Sequence, residues 1–510
     1  MKFTLIVLPI KSSGNQLPNL GAIAIAETVR KLGHDVRVID TIRYRYEIDD
    51  IIKEIASWKP GLIGISGIIT SYYYFEPLVN KLKKNFPDTP VVVGGGITSA
   101  ADVIEQYTKV DYLVKGEGER AISEIVSGAS SKREIEQGCV PGLFIRRNGV
   151  FVPPKIEQDY PDIADMPWPA YDFYDMEYYI ASSTNNAYRF LRLYPEIYKK
   201  VGPSLKFFPL TITRGCPYTC SFCYRLIRKH RHPSVLNAVM HLKMIKDKYS
   251  CSGINILDEL IVADAKWFIE FCDLLAEKVP GLVIFSGAGR ANLLTPEIIE
   301  HAKKAGFIRF GCGIESGSQE ILDNLDKKTT VEQNYNAIKL VKGAQMMATC
   351  NFIFGTPGEN KKTLHDTENF IKRLLDPRDY AVNLAMAYPG APLFNYALDN
   401  NLLKHEEVHN YLLSLSFGTY PLNFSEFKKG HELCRQVNLM QFRLKLKHLL
   451  RRGEYRQLLI TAVRYIIKEL YYQSCYAAPG FMSKVWSNYE NFKLNRFDKK
   501  RRKEGKLGLN

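Results

Sequence analysis

The sequence predicts an α/β fold in three parts: a doubly wound parallel sheet, then a partial (β/α)6 barrel, then a basic α-helical region. Three observations carry this. Two series of short apolar runs, one within residues 1–130 and one within 204–395, alternate with amphipathic stretches at helical spacing. The runs are apolar on consecutive residues, as in strands that helices cover on both faces. Beyond about Leu393 no strand pattern recurs, and Lys, Arg and Tyr become frequent.

In the first series the runs are Phe3–Ile10, Asp35–Asp40, Gly61–Ile68, Pro90–Ile97 and Val110–Glu119, separated by helical stretches such as Gly21–His34, Asp50–Lys59 and Phe75–Phe86. Parallel strands joined through helices cross over right-handedly, so residues 1–130 form a Rossmann-like domain. Ligands of such sheets sit at the carboxyl ends of the strands. Here those ends lead into Pro18–Gly21, Ser66–Gly67, Gly94–Gly96 and Gly116–Glu119. A dinucleotide domain would carry G-x-G-x-x-G directly after its first strand; Pro9–Gly21 lacks it, which argues against NAD or FAD.

Residues 131–203 read as a linker with one β-hairpin. Gly142–Val152 turns at Asn148-Gly149, and the Pro- and Tyr-rich Tyr160–Asp175 reads as extended chain. The second series has six runs: Phe208–Cys216, Gly253–Leu260, Leu282–Arg290, Ile308–Ser316, Thr349–Glu359 and Ala381–Gly390. Six βα units over 204–395 make an incomplete TIM-type barrel, whose chemistry belongs at the strand carboxyl ends. Residues 396–510 complete the chain as a basic helical region.

The 510 residues are too many for one ordinary core, and the apolar, aromatic and charged fractions are those of a globular protein. The first residues hold one charge and a short apolar run ended by Pro9, unlike a signal peptide. No run reaches the roughly 18–20 apolar residues of a membrane span. A cytoplasmic protein is expected, with its ten cysteines reduced and serving as packing or metal ligands. The net charge of +15 is unevenly placed, since Gln441–Asn510 holds 17 Lys and Arg against 5 Asp and Glu.

Three cysteines crowd into one place: Cys216, Cys220 and Cys223 follow the first barrel strand in Cys-x-x-x-Cys-x-x-Cys spacing. Two further cysteines at fixed offsets from a given one would arise by chance roughly 4 times in 10,000. Thiolates hold zinc or iron. Structural zinc prefers four protein ligands, and no fourth cysteine or histidine stands at finger-like spacing. A four-iron cluster on three cysteines would leave one iron open to a ligand. The others, Cys139, Cys251, Cys272, Cys312, Cys350, Cys434 and Cys475, show no paired spacing and read as apolar fillers.

The triad, with Phe222 before its last cysteine, resembles the signature of the radical S-adenosylmethionine (SAM) superfamily. The resemblance implies that Cys216, Cys220 and Cys223 hold a 4Fe-4S cluster whose open iron chelates SAM, and that reduction then yields a 5′-deoxyadenosyl radical. It implies further contacts in strand order. Asp258 and Glu259 fall where the superfamily meets the SAM amino group, Glu259 standing where this family often has a second aspartate. Arg290 resembles a carboxylate contact, and Glu315 with Ser316 the ribose and carboxylate motif. Gly355–Glu359 and Tyr388–Gly390 resemble the adenine-side and closing strands. The bland alternatives are a surface ion pair for Arg290 and a helix cap for Glu315.

With that barrel behind it, the first domain is similar to the cobalamin-binding module of cobalamin-dependent (class B methyltransferase-like) radical SAM enzymes. The likeness rests on residues 18–40, on Gly94 and Gly95 in "GGG", on Gly116 and Glu117 in "KGEGE", and on the linker residues 162–172. It covers about residues 1–395. The Asp-x-His-x-x-Gly motif is missing, as is common in this family, and His34 at a helix-to-strand junction reads as structural. The residue facing the lower side of cobalt is thus unassigned. Tyr72–Phe75 reads equally as aromatic cover or as packing.

The resemblance implies methylation of an unactivated carbon in a small-molecule or lipid-like substrate, with cobalamin carrying the methyl group. The alternative within the family is oxidative cyclisation or ring rearrangement without methyl transfer. An RNA-modifying methylthiotransferase would carry a second cluster in its first domain, yet no cysteine precedes Cys139. A cobalamin carrier or sensor would not need the triad. An external electron donor of flavodoxin or ferredoxin type is implied. The basic helices at 437–452 and 455–472 either cap the barrel or lie on anionic lipid at the inner membrane face, "DKKRRKEGK" adding attraction. Nucleic acid is not expected, because no base-stacking or groove-reading motif accompanies the charge.

Overall fold

The computed structural model describes residues 1–10, 16–128, 132–157, 160, 162–164, 168–225, 227–415, 422–463 and 465–466. It divides into one unit over Met1–Phe427 and a second over Lys428–Asn510.

The first unit contains two sheets. In the first, β1 (Lys2–Val7), β2 (Asp35–Asp40), β3 (Leu62–Ser66), β4 (Val91–Gly94) and β5 (Tyr112–Val114) are parallel, in the order β2-β1-β3-β4-β5. The predicted hairpin, β6 (Leu143–Arg147) and β7 (Val150–Val152), then extends this sheet by pairing antiparallel onto β5. Helices begin where local chemistry directs: Asn19 accepts from the Ala22 amide to start helix Leu20–Lys31, and Asp40 accepts from Ile42 and Arg43 just after β2.

Two helices, Met176–Leu191 and Pro195–Val201, fill the later part of the region read as linker. Asp175 caps the first, and Met176, Tyr179, Ile180, Ser183, Ala187 and Leu191 place its buried face at helical spacing. Tyr179 donates to Asp40 at 2.7 Å and is fully buried, tying this helix to the end of β2.

The second sheet holds β8 (Phe207–Leu210), β9 (Gly253–Ile256), β10 (Val283–Gly289), β11 (Arg309–Glu315), β12 (Met347–Phe354) and β13 (Tyr380–Leu384), all parallel and in sequential order. Six strands running in order from one edge to the other are the partial barrel expected. One apolar core links the two sheets: Ile6, Ile63, Val93 and the helix Tyr72–Asn85 pack in the same cluster as Ala385–Ala387, Phe394, Tyr411 and Leu412.

In the second unit a helix spans Gly430–Arg451, and residues 455–463 are helical. Phe442 and Tyr465 stack at 4.1 Å. No helix among the described residues is long and apolar enough to cross a membrane. The segment "DKKRRKEGK" lies outside the described residues.

Tyr179→Phe removes a donor from a buried carboxylate. The expected loss is about 1–3 kcal/mol of stability, read as a lower denaturant midpoint with an unchanged slope.

Candidate active site

A cavity of about 820 Å³ opens where the carboxyl ends of the two sheets meet. From the first sheet it is lined by Pro18–Gly21, Ser66–Ile68, Gly94–Gly96 and Gly116–Glu119, and from the second by Thr211–Gly215 and Leu257–Glu259. Its lining continues to Phe3, Leu5, Gly64 and Val92 of the first sheet and to Ala24, Thr28 and Ile122 of the flanking helices, a largely apolar recess. The glycine loops are close-set. Gly95 has φ +84°, and a side chain there would meet the Gly67 carbonyl at 2.7 Å, so only glycine lets the loops after β3 and β4 approach.

The other wall is aromatic. Trp168 and His241 stack at 5.3 Å and both line the cavity, with His241 Nε2 3.2 Å from the Tyr171 hydroxyl. Burial depresses His241 to about 4, so it is neutral at physiological pH. His34 lies elsewhere, 2.9 Å from the N-terminal amine. Tyr72 and Phe75 are fully buried in the core and lie outside the cavity lining.

The cysteine loop leaves β8 without regular structure. Its start and end are laced together, Cys216 N donating to Ile227 O at 3.2 Å and Arg214 N to Arg231 O at 2.9 Å. All three thiols are free, Cys216 and Cys220 buried and Cys223 half-buried. Burial pushes the Cys223 thiol up to about 11, against the pull of Arg225 and with the neighbouring Cys220 and Cys216 adding to the rise. A nearby cationic centre would favour the ionised form of this thiol by replacing the lost water. Among the described residues no three His, Cys, Asp or Glu groups close around a point as one metal ion would require.

Around this loop stand the other residues singled out in the sequence. Arg290 is buried; its Nη1 lies 3.5 Å from Cys220 Sγ and its guanidinium 3.7 Å from the Tyr218 ring, while Nε and Nη2 have no hydrogen-bond partner. Arg225 buries an unpartnered Nε and approaches Glu259 at 3.8 Å. Buried guanidinium donors without partners are costly, and they fit an anionic ligand such as a carboxylate. Arg290 is therefore no surface ion pair.

Asp258 and Ser316 turn out to hold the frame. Asp258 accepts from the Ile212 and Thr213 amides and the Thr213 hydroxyl at 2.7–2.8 Å, and burial raises it to about 6. It fixes the backbone that leads to Cys216, and Glu259 beside it reaches the cavity partly exposed. The Ser316 hydroxyl is engaged by Thr367 at 2.9 Å and the Ser318 amide at 3.1 Å. Glu315 caps no helix: it is buried, has φ +63° and pairs with Lys327 at 2.8 Å. Gly94, Gly95, Gly116, Glu117, Asp258 and Glu259 thus share the cavity, whereas Phe222, the cysteines, Arg290, Glu315 and Ser316 lie outside its lining.

One ion network joins the two groups. Glu117 Oε1 accepts from Arg214 at 2.8 Å and Arg231 at 2.5 Å, and Arg214 also bonds Glu119 at 2.8 Å. The two guanidiniums hold the Glu117 carboxyl below its ordinary value despite burial. Arg214, Arg225, Arg231 and Lys327 went unnoticed in the sequence. Arg225 and Arg231 belong to the basic stretch Arg225–His232 that follows the cysteines, which was a signal; a lone arginine before them and a lysine in a later loop carry none.

The B12 binding domain family matches residues 6–126, and the radical SAM superfamily matches residues 210–371. An uncharacterized methyltransferase of Pyrococcus horikoshii is 30% identical over 421 residues, covering 79% of this chain and 84% of that protein. The anaerobic magnesium-protoporphyrin IX monomethyl ester cyclase of Rubrivivax gelatinosus is 27% identical over 65% of this chain, which spans 58% of the cyclase. In fold, the methyltransferase TsrM of Kitasatospora setae, solved with cobalamin and a [4Fe-4S] cluster, superposes with TM-score 0.60 at 15% identity over 78% of this chain and 75% of that one. OxsB, a cobalamin-dependent radical enzyme solved in its apo form, gives 0.66 at 17% identity, covering 96% and 75%.

The chain belongs to the radical SAM superfamily and carries the B12-binding domain of its cobalamin-dependent, methyltransferase-like members. It is an enzyme, and its cofactors are cobalamin, a 4Fe-4S cluster and SAM.

Glu359 supplies a pH test of the loop after β12. Burial lifts this carboxyl from its ordinary 4.5 to about 7, although it accepts from Gly355 N and Thr363 Oγ1 at 3.2 Å. Between those values the folded chain keeps a proton that the unfolded chain has released, so stability falls as pH rises through that window, by up to about 3 kcal/mol. Glu359→Gln is expected to flatten this slope when melting midpoints at pH 5 and pH 8 are compared.

Proposed function

We propose that this enzyme methylates an unactivated carbon of a small-molecule or lipid-like substrate. The observation that carries the reading is a cavity bounded by both sheets, with glycine loops on one side and the flanks of the cysteine loop on the other. Bound there, cobalamin supplies a transferable methyl group, and SAM on the cluster supplies a carbon radical able to take hydrogen from a C–H bond.

The chain's own residues do the rest. Cys216, Cys220 and Cys223 are the thiolates for the cluster. Arg290, with two unpartnered donors, receives the SAM carboxylate, and Glu259 is the acidic group for its amine. Side-chain-free backbone at Gly94–Gly96 and Gly116 lets a flat macrocycle lie close, and the apolar recess accepts its pendant group. Neutral His241 behind Trp168 keeps that wall uncharged and water-poor. The reductant is proposed to be an acidic one-electron carrier of flavodoxin or ferredoxin type.

Cyclisation without methyl transfer is the second reading, favoured by the cyclase relatives. Anaerobic reconstitution with iron, sulfide, cobalamin and SAM, followed by reduction with dithionite in the presence of candidate substrates, decides between them. Methylation gives S-adenosylhomocysteine together with 5′-deoxyadenosine and a product heavier by one methylene unit; cyclisation gives the nucleoside alone and a lighter product. Cys220→Ala is expected to abolish the nucleoside and the four-iron spectrum together.

For the basic helical region we propose peripheral contact with anionic lipid. Tyr455, Leu459, Val463 and Ile466 recur at helical spacing and are each 46–69% exposed, with Arg451, Arg452 and Arg456 nearby in sequence. Flotation with phosphatidylglycerol liposomes is expected to recover the full chain and to lose it when residues 441–510 are removed; equal recovery refutes the contact.

A further inference from the structure

Lys327 is a buried ammonium that the reaction chemistry leaves without a role. It lies in the short stretch after helix Gln319–Asn324, with only 8% of its side chain exposed, and its one ion-pair partner among the described residues is Glu315, 6% exposed, at 2.8 Å. The pair engages Oε1 of Glu315; among the described residues Oε2 accepts no hydrogen bond. The fit is tight. A side-chain carbon at Gly313 would lie 2.8 Å from the Lys327 nitrogen and would collide with Oε1, so a larger residue at this strand position would displace the pair from where it stands.

The same stretch grips the cysteine loop at three successive places. Asp326 accepts from the Thr219 hydroxyl at 2.7 Å, the Leu325 carbonyl accepts from the Ser221 amide at 2.9 Å, and the Lys327 ammonium lies 5.7 Å from the ring centre of Phe222. Phe222 stands between Cys220 and Cys223 in sequence. Leu325–Lys327 is therefore a strap, fastened at one end to the loop that bears the iron ligands and at the other to the carboxylate at the end of β11. A carboxylate this deeply buried keeps its charge only when paired, and a pair fixed on one oxygen also fixes the direction of the other.

We propose that Lys327 is a positioning residue of the SAM site, holding the Glu315 carboxylate charged and aimed at the ligand while tying it to the cysteine loop through Phe222. This rests on the reading of Glu315 as a SAM contact, and the test separates the two.

The full chain, anaerobically reconstituted, is measured as wild type, Lys327→Met, Lys327→Arg, Glu315→Gln and the double variant. The readings are iron and sulfide content, melting midpoint, equilibrium binding of SAM, and the SAM-induced change in the electron paramagnetic resonance spectrum of the reduced cluster. Lys327→Met is expected to bind SAM about tenfold or more weakly with iron content unchanged, and Lys327→Arg to recover most of that affinity. In the Glu315→Gln background, where both buried charges are gone, Lys327→Met is expected to add little.

Wild-type affinity in Lys327→Met overturns the proposal, as does an equal loss in the Glu315→Gln background, or iron loss in both Lys327 variants. A Glu315→Gln variant that binds SAM normally overturns the reading of Glu315, and the proposal with it. That result is distinguishable, because it appears in a protein that keeps Lys327.

Discussion

Glu117, at the end of β5, receives one guanidinium from Arg214 and another from Arg231, the residues that flank the cysteine loop on either side. A half-buried carboxylate between two arginines is held from both sides, and its removal would leave two guanidiniums facing each other. The clamp pins the cysteine loop to the loop after β5, within the residues that match the B12 binding domain. Groups that share one site need their relative placement fixed more closely than flexible loops allow. Here three charged side chains fix one loop against the other, with Glu119 as a second acceptor for Arg214.

Several residues that belong to the site by motif thus act one layer behind it. Asp258 orders the amides of Ile212 and Thr213, and Ser316 fastens its turn to Thr367. Glu359 does the same for Gly355. The side chains left with open valences are fewer: Arg290, Arg225 and Glu259, together with the thiols. Motif and ligand contact are separate properties, and Asp258 and Glu359 show strand-end carboxylates shaping the backbone.

The strands were legible because most are short apolar runs between turn residues, and the cysteine triad because its spacing is rare. Helix Met176–Leu191 was hidden by its composition: Tyr179, Ser183, Ala187 and Tyr188 share the buried face with Met176, Ile180 and Leu191, which dilutes the apolar periodicity. The Asn148-Gly149 turn announced a hairpin, but nothing local said that its strands would pair onto β5. Long-range ion pairs were the least visible. Glu117 meets Arg214 across 97 residues and Arg231 across 114, and such a partnership is a property of topology.

The apolar core that runs from β1, β3 and β4 into the segment after β13 is shared by both sheets. Swinging the sheets apart to widen the recess between them would expose that core to water, so the fold itself resists such an opening in proportion to the apolar area uncovered.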